Sequence, residues 1–192
     1  MLDSEAARLR SIAALDELPP DACVPALAPL FEGGSQFLAR LCAARPFGDI
    51  EGLLGTAREV ARSLPEAGQV ALIDAHPRLG APPDSVSALS FVEQGYDREA
   101  AESATGAAEP EGRRVGAELA RLNAAYEARF GFRYCVFVAG RTRAALLAGL
   151  EAALSADRDA ELVRALDAIV DIAADRLDRL DRLDPTTDDS ER

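Results

Sequence analysis

The chain of 192 residues has few basic residues and no long hydrophobic run, and each deficit excludes a class of protein. Its 21 basic and 33 acidic side chains give a net charge of −12, which opposes binding to nucleic acid or to an anionic membrane over any broad surface. No stretch approaches the roughly 20 apolar residues that cross a bilayer. We therefore expect no nucleic-acid partner and no membrane partner.

Cysteine is also scarce, and its arrangement limits the chemistry further. The three cysteines, Cys23, Cys42 and Cys135, are far apart and form no CxxC pair, which weighs against a disulfide framework and a structural zinc site. The amphipathic start contains acidic residues and lacks the pattern of a secretory leader. We expect a soluble, cytoplasmic protein with reduced thiols.

Motifs for cofactors and for serine hydrolases are missing as well. The sequence contains no HExxH, GxxxxGK[ST] or GxSxG pattern. We therefore expect neither a metal ion nor an organic cofactor.

Most segments are rich in alanine, leucine, glutamate and arginine, which are good helix formers. Periodicity and capping residues predict helices over residues 4–18, 21–32, 50–63, 113–130, 142–154 and 157–183, with shorter ones from Ser35, from Pro65 and from Ser87 or Ser90. Residues 98–112 are small, polar and acidic and are predicted to form a loop. The predicted fold is all-α, a single compact helical-bundle domain over residues 1–184 followed by a disordered acidic tail, 185–192.

One segment, residues 130–140 with the sequence FGFRYCVFVAG, breaks the helical pattern. Its aromatic and β-branched residues are typical of a buried strand, but a lone strand in a helical chain has no pairing partner. We expect an extended segment buried in the core after the FGF motif. Its backbone amides then need partners, and a ligand could supply some of them.

The single histidine, His76, lies at the end of an apolar helix and before a proline. Its unperturbed pKa near 6.5 makes it the one ordinary side chain that exchanges a proton at neutral pH. The alternative is a structural histidine that bonds the last carbonyls of its helix. The residue types alone favour this structural role.

Ser90, Glu93 and Gln94 share one face of a short predicted helix. Ser90 and Glu93 also have the spacing of a capping box, which would place Ser90 at the N-cap. Capping is the stronger interpretation of the spacing, and it is compatible with a second role in a site.

Among the many arginines, Arg176 lies where an apolar helical stripe meets a charged surface, so its guanidinium could reach inward. Arg179 and Arg78 are competing choices for an anion-binding residue. Cys135 could pair with His76 as a nucleophile, but its apolar neighbours favour a buried hydrophobic role.

The motifs together resemble one family. Ala75-His76-Pro77-Arg78-Leu79-Gly80, then Ser90-x-x-Glu93-Gln94, then Asn123-x-x-Tyr126 and Arg129-Phe130-Gly131-Phe132, are similar in order and spacing to 2-oxo-4-hydroxy-4-carboxy-5-ureidoimidazoline (OHCU) decarboxylase. The resemblance covers about residues 30–183, and it implies an all-helical, cofactor-independent carboxy-lyase. This family converts OHCU to (S)-allantoin and CO2 in urate degradation, and its members commonly form homodimers.

The resemblance also implies roles for particular residues. His76 and Glu93 would be catalytic, and Arg176 would bind a substrate anion. The remaining substrate contacts would come from Pro77, Ser90, Gln94 and the run Tyr134, Cys135, Val136, Phe137 and Val138. Two alternatives stay open, namely a lyase that acts on a related ureido acid and a non-catalytic helical interaction protein.

Overall fold

A computed structural model describes residues 12–32, 34–96 and 109–182 of the chain. Over these ranges it contains nine α-helices and no β-strand, which confirms the all-α prediction. The helices are α1 (Ile12–Asp16), α2 (Pro20–Phe31), α3 (Ser35–Ala43), α4 (Ile50–Ser63), α5 (Glu66–Asp74), α6 (Ala88–Glu93), α7 (Glu109–Phe130), α8 (Arg143–Ala153) and α9 (Arg158–Arg182).

The chain folds into two compact units. The first comprises residues 1–75 and 166–192, and the second comprises residues 76–165. Helices α1 to α5 belong to the first unit and helices α6 to α8 to the second. Helix α9 begins in the second unit and continues into the first.

Side-chain caps set several helix starts where the sequence predicts them. The Asp49 carboxylate accepts a hydrogen bond from the amide of Gly52 at 2.7 Å, and α4 has the predicted bounds. Thr142 caps α8 in the same way, through the amide of Ala145. These caps satisfy amides that the first turn of a helix leaves without a partner.

In the first unit, a disulfide bond joins α2 to α3. Cys23 and Cys42 lie 19 residues apart in the sequence, and their Cα atoms are 6.0 Å apart. The prediction of three reduced thiols is therefore wrong for this pair, while Cys135 forms no disulfide and is buried. Sequence spacing could not reveal the pairing, because it arises only when α2 and α3 pack side by side.

Arg45 ties α1 to the turn that follows α3. Its guanidinium donates to the carbonyls of Leu15 at 3.0 Å and Cys42 at 2.8 Å. In return, the Asp16 carboxylate accepts the amides of Phe47 and Gly48 at 2.8 and 2.9 Å. The turn predicted at residues 45–49 is thus held by a half-buried network that reaches α1 rather than by local bonds alone.

Helix α9 contributes a buried arginine to the first unit. Arg176 is 2% exposed, and its guanidinium donates to the carbonyls of Pro29 and Leu30 at 2.9 and 3.2 Å and to the Glu32 carboxylate at 2.8 Å. These acceptors lie at the end of α2, where helix carbonyls lack partners within the helix. Arg176 therefore closes the C-terminus of α2.

The second unit is built around the aromatic side chains of α7 and of the segment that follows it. Tyr126 packs against Phe130, Phe132 and Tyr134 with ring centroids 4.5 to 5.8 Å apart. Residues 131–142 contain neither helix nor strand, and Tyr134, Cys135 and Val138 are buried. The predicted extended segment is therefore present and is covered by its neighbours.

Some predicted boundaries differ from the structure. Ser87, not Ser90, caps α6, and its hydroxyl accepts the amide of Ser90 at 3.1 Å. Pro65 is the N-cap of α5 rather than its first helical residue. Helix α7 begins four residues earlier than predicted, at Glu109.

Other predictions fall outside the described residues. They concern the part of the first helix before Ile12, most of the predicted loop at 98–112, and the tail at 185–192. The domain boundaries, 1–184 and 185–192, stay predictions. None of the described helices combines the length and the hydropathy that a bilayer-crossing helix needs.

The buried position of Arg176 predicts a large stability effect. Replacing it by methionine leaves Glu32 and two carbonyls without their donor, so Arg176→Met should lower the free energy of unfolding by about 3–5 kcal/mol. Arg179, whose Nε lies 2.7 Å from Asp175 at a partly exposed site, is the matched control, and Arg179→Met should cost less than about 1 kcal/mol. Urea unfolding measures both, and equal losses would contradict this account.

Candidate active site

His76 is the second residue after α5, and it begins the second unit. Its side chain is 3% exposed, and its ring nitrogen Nε2 is buried with no hydrogen bond to it among the described residues. The His76 carbonyl accepts a hydrogen bond from Arg133 Nη1 at 2.9 Å. Arg133 belongs to the extended segment, so a direct contact joins that segment to the backbone of the histidine.

Gln94 holds the turn that follows His76. Its Oε1 accepts the amide of Gly80 at 2.8 Å, and its Nε2 donates to the carbonyl of Arg78 at 3.3 Å. Gly80 has a φ of 78°, and a Cβ there would lie 2.8 Å from Leu119, so the turn requires glycine. Gln94 is 7% exposed, and its amide group is therefore engaged in fixing the His76 turn.

Two further side chains secure the same turn. Asn123 of α7 donates from Nδ2 to the carbonyl of Leu79 at 2.9 Å. The Tyr96 hydroxyl donates to the carbonyl of Ala81. The Arg143 guanidinium lies over the Tyr96 ring, 4.6 Å from its centroid. The turn is thus held by Gln94 and Tyr96, which follow α6, and by Asn123 of α7.

Ser90 and Glu93 lie on α6, three residues apart and on one face, as predicted. Ser90 is buried at 3% exposure, whereas Glu93 is half-buried at the end of the helix. Because Ser87 provides the cap, neither residue forms the capping box that their spacing indicated. The structure thereby excludes a capping box as the role of this pair.

The extended segment has its carbonyls bonded by arginines. The Cys135 carbonyl accepts from Arg164 Nη1 at 2.8 Å, and the Phe137 and Val138 carbonyls accept from Arg141 at 2.5 and 3.0 Å. By contrast, the amides of Val136, Phe137 and Val138 donate to no backbone acceptor among the described residues. The segment therefore presents donors in a region where most buried amides are paired.

A buried polar network that sequence reasoning missed lies behind this segment. The Glu161 carboxylate, at 5% exposure, accepts from the Tyr126 hydroxyl at 2.7 Å and from Arg164 Nε at 2.8 Å. The Arg164 guanidinium also lies 4.8 Å from the centroid of the Tyr134 ring. The one available signal was Tyr126 itself, within the Asn123-x-x-Tyr126 motif, because a buried tyrosine hydroxyl needs a partner.

Burial and charge shift the pKa values of this network. Burial, with the Glu161 hydrogen bond, raises the pKa of Tyr126 well above its usual value near 10. Burial also raises the pKa of Tyr134, although the nearby Arg164 charge opposes the shift. Burial alone would lower the pKa of Arg164, but the hydrogen bond and the charge of Glu161 outweigh it and raise this pKa.

The predicted anion-binding arginines are each paired with a carboxylate. Arg176 belongs to the first unit and bonds Glu32, whereas the other predicted site residues belong to the second unit. Arg179 bonds Asp175 at 2.7 Å, and Arg78 bonds Glu127 at 2.5 Å. Spacing gave no way to foresee Glu32 and Glu127 as partners, because both are distant in sequence from the arginines they bond.

A cavity of about 250 Å³ opens beside the His76 turn, between residues 78–82 and four residues of α7. Its lining includes Asn123 and the Arg78–Glu127 ion pair but none of the predicted catalytic residues. Pro77 lies between His76 and this lining and is half-buried.

A sequence profile of the OHCU decarboxylase family matches residues 16–178, and the chain belongs to this family. It is 29% identical over 163 residues to the uric acid degradation bifunctional protein PucL of Bacillus subtilis, covering 85% of this chain and 31% of PucL. It is 26% identical over 163 residues to 2-oxo-4-hydroxy-4-carboxy-5-ureidoimidazoline decarboxylase of Haloferax volcanii, covering 85% of this chain and 91% of the relative. The chain thus spans about a third of PucL and nearly all of the second relative.

Two solved structures share the fold. One is an (S)-allantoin synthase, with a TM-score of 0.59 and 19% identity, matched over 88% of this chain and 54% of the other. The second is an OHCU decarboxylase crystallised in the presence of (S)-allantoin, with a TM-score of 0.58 and 22% identity, matched over 80% of this chain and 95% of the other. At these identities the likeness establishes the fold alone.

The raised pKa of Tyr126 predicts a loss of stability in alkaline solution. The unfolded chain releases tyrosine protons near pH 10, whereas folded Tyr126 retains its proton, so raising the pH above about 10 favours unfolding. Tyr126→Phe removes this contribution and should make the alkaline slope shallower by up to about 1.4 kcal/mol per pH unit. Urea unfolding between pH 8 and 11 measures the slope, and an unchanged slope would show that Tyr126 ionises normally in the fold.

Proposed function

We propose that this chain is a cofactor-independent decarboxylase that converts OHCU to (S)-allantoin and CO2 in urate degradation. The observation that carries the proposal is the family match over residues 16–178, because this range contains every motif of the candidate site. The names of the two relatives, one a uric acid degradation protein and one an OHCU decarboxylase, support the same reaction.

The chemistry explains how such a reaction proceeds without a cofactor. Loss of CO2 leaves an electron pair on the ring carbon, and the neighbouring ring C=N bond accepts it. The ring nitrogen takes a proton, and the resulting enol collapses to a carbonyl as the adjacent carbon is protonated. Protonation from one face gives a single enantiomer. The protein has to orient the carboxylate, exclude water and deliver that proton.

His76 is the proposed acid–base group for this proton transfer. It is the one histidine of the chain, it is buried, and its turn is fixed by Gln94, Asn123 and the carbonyl contact from Arg133. A positioned acid–base group contributes about 10²–10⁴-fold to a rate. A fixed backbone at this residue limits the directions from which it can reach a substrate.

Glu93 is the second proposed catalytic residue, with Ser90 and Pro77 as substrate contacts. The Glu93 carboxylate is suited to the N–H groups of the ureido substituent, because it accepts hydrogen bonds only. Gln94 is also a proposed substrate contact, because it lies beside the His76 turn. Main-chain donors to the oxygens of the substrate ring come from the segment Tyr134, Cys135, Val136, Phe137 and Val138.

Arg176 is the proposed contact for the substrate carboxylate, because a guanidinium fixes the plane of a carboxylate through two parallel bonds. In the structure Arg176 Nη2 donates to Glu32 at 2.8 Å, and Nη1 donates to the carbonyls of Pro29 and Leu30. A bidentate contact with substrate would therefore require Glu32 to move aside, and Glu32→Gln tests this by weakening the competing carboxylate.

An assay with freshly generated OHCU tests the proposed reaction. Circular dichroism should show (S)-allantoin forming faster than spontaneous decay forms racemic product. A related ureido acid turned over in place of OHCU would assign a different lyase activity, and no acceleration with any such substrate would favour a non-catalytic interaction protein.

Replacing the histidine tests its role directly. His76→Asn should lower kcat by about 10²–10⁴-fold and leave the urea midpoint close to that of the wild type. Gln69→Ala, which removes the side-chain bonds to the carbonyls of Arg62 and Leu64 in the first unit, serves as a control that should keep full turnover. Retained turnover with lowered stability in His76→Asn would instead assign the ring a structural role.

A cytoplasmic location and a homodimeric state complete the proposal. The location rests on the scarcity and spacing of the cysteines, and the homodimer rests on the resemblance to the family. The Cys23–Cys42 disulfide weighs against a reducing compartment, where such pairs are kept as thiols. Thiol labelling of protein unfolded directly from cells should modify both cysteines if the chain is cytoplasmic. Light scattering on the purified chain should give twice the mass of 20.3 kDa if it is a dimer.

A further inference from the structure

The segment after the FGF motif depends on side chains for its backbone hydrogen bonds. Its carbonyls at Cys135, Phe137 and Val138 are each bonded by an arginine, as described above. Its amides at Val136, Phe137 and Val138 have no backbone acceptor among the described residues. The arginines therefore determine which backbone groups remain available on this segment.

Arg164 differs from Arg141 in how firmly it is held. Arg141 comes from the same loop as the carbonyls it bonds, and it is exposed. Arg164 comes from α9, and its Nε is fixed at 2.8 Å from Glu161, a carboxylate that is 5% exposed. Glu161 is fixed in turn by the hydroxyl of Tyr126, which has no exposed surface.

The geometry assigns Arg164 and Glu161 a positioning role for the candidate site. We propose that Glu161 orients the Arg164 guanidinium, which holds the Cys135 carbonyl and so directs the amides of residues 136–138 toward a carbonyl or carboxylate oxygen of the ligand. This inference rests on the proposed function, because it identifies what aligns the main-chain donors of that site. Neither Arg164 nor Glu161 touches the reacting atoms.

The role requires a guanidinium rather than any cation. Arg164 donates from Nε to Glu161 and from Nη1 to Cys135 at the same time, and its planar group lies over the Tyr134 ring. A lysine ammonium is a single centre and cannot reproduce this fork. Arg164→Lys therefore keeps the charge while removing the simultaneous contact.

The chain offers a matched control on α7. Glu118 and Arg121 form a pair with the same residue types and the same i,i+3 spacing, and Arg121 lies 2.6 Å from Glu118. Both side chains are well exposed, at 41% and 60%, so this pair is not part of a buried network. Arg121→Lys should thus show the effect of an Arg→Lys substitution outside the buried network.

Hydrogen exchange tests the positioning role without any substrate. Because the amides of residues 136–138 have no backbone acceptor in the described part of the chain, their protection depends on the segment staying in place. A peptide covering residues 134–138 should therefore exchange about tenfold faster in Arg164→Lys than in the wild type, while peptides from α7 keep their rates. Arg121→Lys should leave the 134–138 peptide unchanged. Unchanged exchange in Arg164→Lys would overturn the inference, and so would faster exchange spread evenly over the chain.

Steady-state kinetics test the link to the site. In Arg164→Lys the KM for OHCU should rise about tenfold with kcat within about threefold, because binding donors are misaligned while His76 is intact. If Arg164→Lys shows faster local exchange but keeps the KM and kcat of the wild type, the link between Arg164 and substrate binding is overturned. If the wild type does not turn over OHCU at all, the proposed function fails, and the exchange comparison alone decides whether Arg164 positions the segment.

Glu161→Gln provides a second variant in case the lysine substitution prevents folding. It keeps an oxygen acceptor for Tyr126 and Arg164 and removes the charge. We expect local exchange at residues 134–138 to accelerate by a smaller factor, roughly two- to fivefold, as charged hydrogen bonds exceed neutral ones in strength. No local change in this variant would count against the role of Glu161 in orienting the guanidinium.

Discussion

An extended backbone segment without a neighbouring strand is the constraint that organises the second unit. Residues 131–142 carry aromatic and β-branched side chains that are buried, yet no strand among the described residues is present to accept and donate their hydrogen bonds. Buried backbone polar groups that have no neighbouring strand need side-chain partners, because each one without a hydrogen bond destabilises the fold. Arginine suits the carbonyls, because its several donors reach two acceptors at once and it offers no acceptor of its own.

That choice of partner has a functional consequence. Arginines bond the carbonyls of Cys135, Phe137 and Val138, whereas the amides of residues 136–138 have no backbone acceptor among the described residues. Amides bind oxygens that carry partial or full negative charge. The Glu161 carboxylate neutralises the charge of Arg164, so the segment does not lie against an uncompensated cation. His76 joins the same arrangement through its carbonyl, which Arg133 of the segment bonds at 2.9 Å. The proposed acid–base group and the amide donors are therefore linked by one contact.

Local sequence signals predicted much of the helical framework, because caps and breakers act over a few residues. Asp49 and Thr142 begin the helices expected of them, and the lone strand-like run was correctly interpreted as an extended segment because nothing could pair with it. The prediction of a capping box at Ser90 was wrong, because Ser87 lies three residues earlier and, as a serine, caps a helix equally well. The Cys23–Cys42 bond and the Glu161–Arg164–Cys135 network could not be predicted, since each joins elements whose packing no local pattern specifies.

The predicted site residues divide along similar lines. Gln94 bonds the turn that follows His76, and Arg133 of the extended segment bonds the His76 carbonyl, whereas Arg176 bonds Glu32 in the first unit. The central claim is that a ligand is bound between His76, Glu93 and the amides of residues 136–138. A crystal structure with (S)-allantoin bound measures this most directly. It should place ring oxygens within hydrogen-bond distance of those amides and the ureido group near Glu93, and an allantoin bound elsewhere with these amides unoccupied would contradict the account.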